Sequence, residues 1–366
     1  MTPDLMIPGA KHRFLVLDAL RGFAALVIMI YHFKAVSPHF ASYLAVDFFL
    51  ILSGFVLTHA YFRHDGFNIW AFAQARVARL YPLHLVTLIA SLGVYTLTHR
   101  YIDKSDLVLH ALMLHNIGLG PDTIEFNSPA WSISVEFWVN MVIALGLITI
   151  IPKLSKRWAR WGTLTAISLI AFAALFVSPG HLNGVEKNIV PFVNMGLLRG
   201  FGSFCLGIII YELYVHLLPT IDDKKLILIS RLTPITILLF AIALFSPVKE
   251  TAFDFLMVPF FCLVVFLAAF ERGFGVAGLG RLSYLGTISF AVYLVHRPVQ
   301  QFFAHMLDGA GGFPAQFALS VLTTLALAVL ANKYLEIPAN RLGKKLLGTL
   351  GNWLKAWAAS WREVLR

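Results

Sequence analysis

The chain has 366 residues, 58% of them hydrophobic and 13% charged, with a mean hydropathy of +0.77. A composition this apolar excludes a soluble domain and marks a polytopic membrane protein. The net charge of +10 does not argue for nucleic acid, because the basic residues fall in short loops between apolar runs, as the positive-inside rule expects.

Ten apolar segments are long enough to span a bilayer at about 20 residues each. They cover 14–36, 44–62, 79–98, 131–151, 160–178, 196–217, 226–246, 252–270, 284–306 and 315–336. With both termini placed in the cytoplasm, 21 lysines and arginines fall on the inner side and 5 on the outer. That contrast sets the orientation. The expected fold is therefore all-α, with about ten transmembrane helices, both termini cytoplasmic and no cleavable leader. A membrane domain covers 1–340. The basic tail 341–366 carries Trp353, Trp357 and Trp361 at i, i+4 and i+8, which reads as an amphipathic helix on the inner leaflet. Within the outer loop 99–130, Leu107–Leu114 is half-apolar and too short to span. It reads as a surface or re-entrant helix. Cys205 and Cys262 sit inside apolar runs and suggest neither a disulfide framework nor a metal site.

The first span carries Asp18, Arg21 and His32 into what should be lipid. Ionisable groups at that depth are costly and are functional candidates by default. Arg21 and His32 are eleven residues apart, so at ~100° per residue they share one helix face, with Cα atoms roughly 16 Å apart along the axis. The plainer alternative pairs Arg21 with Asp18 and leaves His32 at the opposite headgroup layer. The second span holds Asp47, placed at its outer end, then Ser53 and Gly54, small residues that suit close helix packing. In Arg76-Val77-Ala78-Arg79-Leu80-Tyr81-Pro82 the two arginines are i, i+3 and share a face if the segment is helical. Two forked guanidiniums at a cytoplasmic mouth suit phosphate, although a positive-inside anchor accounts for them equally well. The fourth span opens Asn127-Ser128-Pro129-Ala130-Trp131-Ser132, with the proline near a helix start where its missing N–H costs little. Glu136 then enters the membrane about two turns in. The ninth span presents Ser289, Tyr293 and His296 as one polar stripe, and Glu336-Ile337-Pro338 closes the last span as an anchor.

Taken together and in order, these motifs resemble the acyltransferase-3 family of integral membrane O-acyltransferases. Leu17-Asp18-Ala19-Leu20-Arg21 with His32 matches the family's opening Arg-to-His pattern. Phe48-Phe49 with Ser53-Gly54-Phe55, one residue longer than usual, matches the second motif, and Arg76 to Pro82 the third. Asn127, Trp131, Ser132 and a slightly displaced Glu136 match the fourth. Ser289, Tyr293, Leu294, His296 and Pro298 match the last. Phe290, Arg297 and Phe137-Trp138 depart from the pattern.

The resemblance implies the stand-alone form, without a C-terminal esterase-like domain, and transfer of an acyl group, usually acetyl from acetyl-CoA, to a carbohydrate hydroxyl of a glycan or glycolipid. No metal is implied. Histidine suits the general base, with an ordinary pKa near ~6.5. His32 takes that role, with Glu136 orienting its ring and Arg21, further inward on the same helix face, completing the catalytic set. Arg76, Arg79 and Arg21 hold the donor. Asp18, Ser53, Trp131, Ser132, Tyr293 and His296 shape the pocket or donate to the oxyanion. A transporter or flippase of polysaccharide intermediates is the alternative for so many intramembrane charges, but no inverted repeat supports it.

Overall fold

The computed structural model describes residues 9, 12–33, 40–63, 66–123, 125–150, 156–247, 250–307, 312–343 and 345. Apolar runs of the predicted length become helices because a helix satisfies all of its interior backbone polar groups within the segment. They are α1 (Leu15–Tyr31), α2 (Ala45–Leu57), α3 (Ile69–Leu97), α4 (Lys104–Ala111), α5 (Trp131–Thr149), α6 (Arg157–Val177), α7 (Met195–Leu217), α8 (Asp223–Leu244), α9 (Asp254–Ala268), α10 (Val276–Leu279), α11 (Ser283–Met306) and α12 (Gly312–Ala331).

Each of the ten predicted spans coincides with one of these helices. With their short extensions, eight are long and apolar enough to cross a membrane, whereas α1 and α9 have 17 and 15 residues. The chain is an all-α, multi-pass membrane protein. A two-stranded antiparallel ribbon, Asn188–Val190 with Val193–Asn194, is the extended structure among the described residues. The predicted amphipathic tail beyond residue 345, with its three tryptophans, lies outside the described residues.

Helix ends follow local chemistry. The side chains of Asn68, Asp103, Asn194 and Asp222 accept hydrogen bonds from the first-turn amides of α3, α4, α7 and α8, satisfying donors that have no intrahelical partner. The Asn68 cap corrects one expectation. α3 starts ten residues before the apolar run, so Arg76 and Arg79 sit on a helix and not in a loop. Two stretches widen to π-helix, Thr58–Phe62 after α2 and Asn332–Glu336 after α12. Such segments recur at functional sites; the first brings His59 to a cavity described below, and the second brings Glu336 to Arg79.

The core is built from α1 against α11 and α2 against α7. α6, α8 and α12 turn Leu169, Leu238 and Leu322 outward, each more than 60% exposed, as a lipid-facing surface requires. Glycines set the α1–α11 approach. A Cβ on Gly286 would lie 2.1 Å from the Asp18 carbonyl oxygen, and one on Gly22 would lie 2.4 Å from the Leu285 Cβ. Gly286→Ala should therefore destabilise by about 1–3 kcal/mol, the usual cost of overpacking, and lower the unfolding midpoint in detergent. Gly93→Ala, where nothing lies within 4 Å, should not. Equal midpoints for the two variants would show that α1 and α11 can separate freely.

Candidate active site

Three cavities follow α1 from end to end. At its N-terminal end a cavity of about 270 Å³ is lined by His12, Arg13, Asp18, Arg21, His59 and Arg79, among others. It shares Arg21, Leu52, Val56 and Arg79 with a central cavity of about 310 Å³ that adds Ser53, Arg76, Ser132, Glu136, Ser289 and Tyr293. At the C-terminal end of α1, a third cavity of about 500 Å³ is lined by His32, Arg100, Arg297, Gln300, Gln301 and His305, with others.

Arg21 is held by two anchors. One Nη2 donates to Asp18 Oδ1 at 2.7 Å and to the Gly286 carbonyl at 2.9 Å. Asp18 also accepts from Arg13 Nη2 at 2.6 Å. The Arg21–Asp18 pair of the plainer sequence reading is thus present, yet both residues line the N-terminal cavity and Arg21 lines the central one as well. Arg79 donates to Glu336 Oε2 at 2.7 Å and lies over the Phe290 ring. Arg76 lies against Phe72 and Tyr61 and has no ion pair among the described residues. The buried Nε atoms of Arg21 and Arg76 lack hydrogen-bond partners. Three guanidiniums around one cleft, two of them with an unpaired Nε, suit a phosphate-bearing ligand.

His32, which ends α1, places Nδ1 at 2.9 Å from the Ile28 carbonyl and 3.2 Å from His296 Nε2. A carbonyl only accepts, so His32 Nδ1 carries the hydrogen and its Nε2 keeps the lone pair. His296 Nδ1 lies 3.0 Å from the Val292 carbonyl, so the same logic leaves His296 Nε2 as an acceptor facing His32. His296 is fully buried. The tautomers of both rings follow from the two helix carbonyls, and the second ring orients the first, as outer partners of functional histidines commonly do.

Several site expectations change. Glu136 does not orient His32. It accepts from Ser53 Oγ at 2.8 Å in the central cavity, beside the three arginines. α5 carries it on the face towards α2, so a half-buried carboxylate there answers the arginine charges. His296 is the ring's partner and not a pocket wall. Trp131 is buried beneath the Arg199 guanidinium, 5.7 Å from ring centroid to charge, and lines none of these cavities. Ser53, Ser132 and Tyr293 do line the central one, with Ser132 Oγ 2.8 Å from the Tyr293 hydroxyl.

Asp47, expected at the outer end of its span, is fully buried and forms a two-bond ion pair with Arg199 at 2.9 and 2.6 Å. Glu336, read as an anchor, fixes Arg79. Its signal was present in the sequence as a carboxylate at the end of an apolar run. The Glu336 partner and the His32–His296 pair depend on tertiary packing. The stack of His110 on His115, with ring centroids 4.0 Å apart beside His84, has no sequence signature, because three unrelated positions supply it.

The profile of the acyltransferase-3 family, described as an acyltransferase domain, matches residues 14–333. The chain belongs to the acyltransferase-3 family. It is 30% identical over 359 residues to "Acyltransferase MdmB" of Streptomyces mycarofaciens, covering 89% of each chain. It is 40% identical over 165 residues to "Protein 2 in picA locus" of Rhizobium radiobacter, covering 38% of this chain and 85% of that one. Similarity to "O-acetyltransferase OatA" of Staphylococcus aureus is 22% over 359 residues, covering 91% of this chain but 58% of that protein. No solved structure matches. This membership makes the chain a membrane acyltransferase. The pair that opens the family's motif, Arg21 and His32, stands at the two ends of a single helix facing separate cavities.

Proposed function

We propose that this acyltransferase moves an acyl group, acetyl first among the candidates, from cytoplasmic acyl-CoA to a hydroxyl of a carbohydrate, with His32 as the general base. The observation that carries the reading is the division of labour along α1, with arginines around a cleft at its N-terminal end and an imidazole lone pair at its C-terminal end. The arginines suit the donor's phosphates. The roughly 16 Å between the Arg21 and His32 Cα positions is of the order of an extended pantetheine arm. Tyr293 lines the central cavity, and Arg297, one turn further along α11, lines the outer one, so the reacting groups meet at that turn.

In this reading the acceptor O–H gives its proton to His32 Nε2 while its oxygen attacks the thioester carbon. The imidazolium that forms keeps its Nδ1–H pointed at the neutral His296 Nε2, which takes the part a carboxylate plays in a Ser-His-Asp triad. Collapse of the intermediate breaks the C–S bond, and the leaving thiolate recovers the proton from His32 Nε2. Ser132 and Tyr293 hydroxyls stand where they can donate to the developing oxyanion. The bacterial inner membrane, with both termini inside, supplies donor on one side and acceptor on the other. The membrane domain 1–340 carries the activity.

Purified protein in nanodiscs should transfer or hydrolyse radiolabelled acetyl-CoA. If it does neither, and other acyl-CoA thioesters are also inert, the donor class is wrong. Arg76→Ala should raise KM for the donor more than it lowers kcat, because phosphate contacts are made equally in ground and transition states. An unchanged KM in folded protein would reduce Arg76 to a membrane anchor. For orientation, cysteines introduced at the exposed positions Ser105 and Ala277 should label from opposite sides of intact cells. Labelling from one side would overturn the topology.

A further inference from the structure

The outer cavity holds a charge pattern that acyl transfer to a neutral hydroxyl does not need. Arg100 and Arg297 both line it, with His305 at its rim, and no aspartate or glutamate lines it among the described residues. Arg297 follows His296 directly and is a departure from the family motif. It has no ion pair among the described residues, and its Nε is buried without a hydrogen-bond partner. Glu125 accepts from the Tyr95 hydroxyl at 2.8 Å, and Arg100 lies over that same ring, 5.3 Å from its centroid. Arg297 is half-buried and Arg100, at the same cavity, is exposed; two like charges facing one cavity repel each other, and keeping the unpaired Arg297 partly buried is costly unless an anion joins it.

The same cavity also offers acceptors. The amide oxygens of Gln300 and Gln301 are buried without donors, and the Gln300 amide nitrogen is already committed to the Met29 carbonyl at 2.9 Å, which fixes that oxygen as free. Gln316 adds a further amide. Guanidinium donors fit an oxyanion in a planar fork, and free amide oxygens fit sugar hydroxyls. Together they describe one ligand class.

We propose that the outer cavity binds the acceptor through an oxyanion that the acceptor itself carries, a carboxylate or a phosphate, gripped by Arg297 and Arg100, so that the sugar hydroxyl beside it meets His32 Nε2. The acceptor is thus an acidic carbohydrate. This rests on the proposed acyl transfer for the identity of the reacting hydroxyl, but the anion site is tested without catalysis.

The experiment is calorimetric titration of the full chain carrying His32→Gln, in nanodiscs of neutral lipid, with methyl glucuronide, glucose 1-phosphate and methyl glucoside in turn. One or both charged sugars should bind at least about tenfold more tightly than the neutral one. The stronger of the two identifies the source of the anion as uronate or phosphate. Adding Arg297→Gln should erase the preference. Arg297→Lys should retain part of it, because the charge remains and the fork is lost. Equal affinity for all three sugars, or a preference that survives Arg297→Gln in folded protein, overturns the proposal. Acyl transfer in the unmodified enzyme with no preference for charged acceptors would leave the transfer reading standing and this one refuted. Charged-sugar binding in a protein that transfers nothing would do the reverse.

Discussion

His32→Gln should lower single-turnover acyl transfer about 10²–10⁴-fold, the usual contribution of a general base, while donor binding persists. The side chain sits at the end of α1, with its Nδ1–H shared between the Ile28 carbonyl and His296 Nε2. Glutamine can keep a hydrogen bond to one of these, so folding is preserved, but it has no basic nitrogen for the acceptor's proton. His296→Gln provides the contrast. It removes the neighbour that steadies the imidazolium and leaves the base itself, so its loss should be smaller. Arg21→Ala should instead weaken donor binding, since Arg21 faces the inner cavities. The measurement is transfer in a single turnover with saturating acetyl-CoA and purified protein. Turnover near that of the parent in His32→Gln removes His32 from the mechanism.

Asp47→Asn should cost about 3–5 kcal/mol of stability, the loss seen when one partner of a buried ion pair is removed and the other charge is left behind. Few residues here are better enclosed, with Asp47 0% and Arg199 2% exposed. The Arg199 guanidinium also donates to the Leu182 and Tyr43 carbonyls at 2.8 and 2.9 Å, and Ser203 donates to Asp47 Oδ1 at 3.0 Å. This network ties α2 to α7 and, through Leu182, to the chain before the ribbon strand Asn188–Val190, beside the wall that α2 gives the central cavity. The paired replacement Asp47→Leu with Arg199→Met should recover much of the stability, because apolar side chains of similar volume often replace a buried pair without loss. Unfolding midpoints in one detergent compare the three proteins. A midpoint for Asp47→Asn equal to the parent's would show that water reaches the pair.

By itself the sequence determined the class of the protein and most of its elements. Apolar runs near 20 residues can only be helices in lipid, so all ten predicted segments recur as helices, and the motif order from Leu17 to Pro298 pointed to the family that residues 14–333 match. Helical periodicity also aligned Arg21 with His32, since eleven residues are close to three turns. Boundaries failed where charge interrupts hydropathy: α3 begins at Ile69 under the Asn68 cap, and Arg76 and Arg79 on its first turns line a cleft. Only the tertiary structure decided the partners. Glu136 and His32 both lie in motifs, but α5 turns the carboxylate towards Ser53, while α11, drawn close to α1 at Gly22 and Gly286, brings His296 against His32. Asp47 with Arg199, 152 positions apart, and Arg79 with Glu336, 257 apart, are pairings of the same kind. One-dimensional spacing fixes which face of a helix a residue occupies; which neighbour that face meets depends on how helices distant in the chain pack.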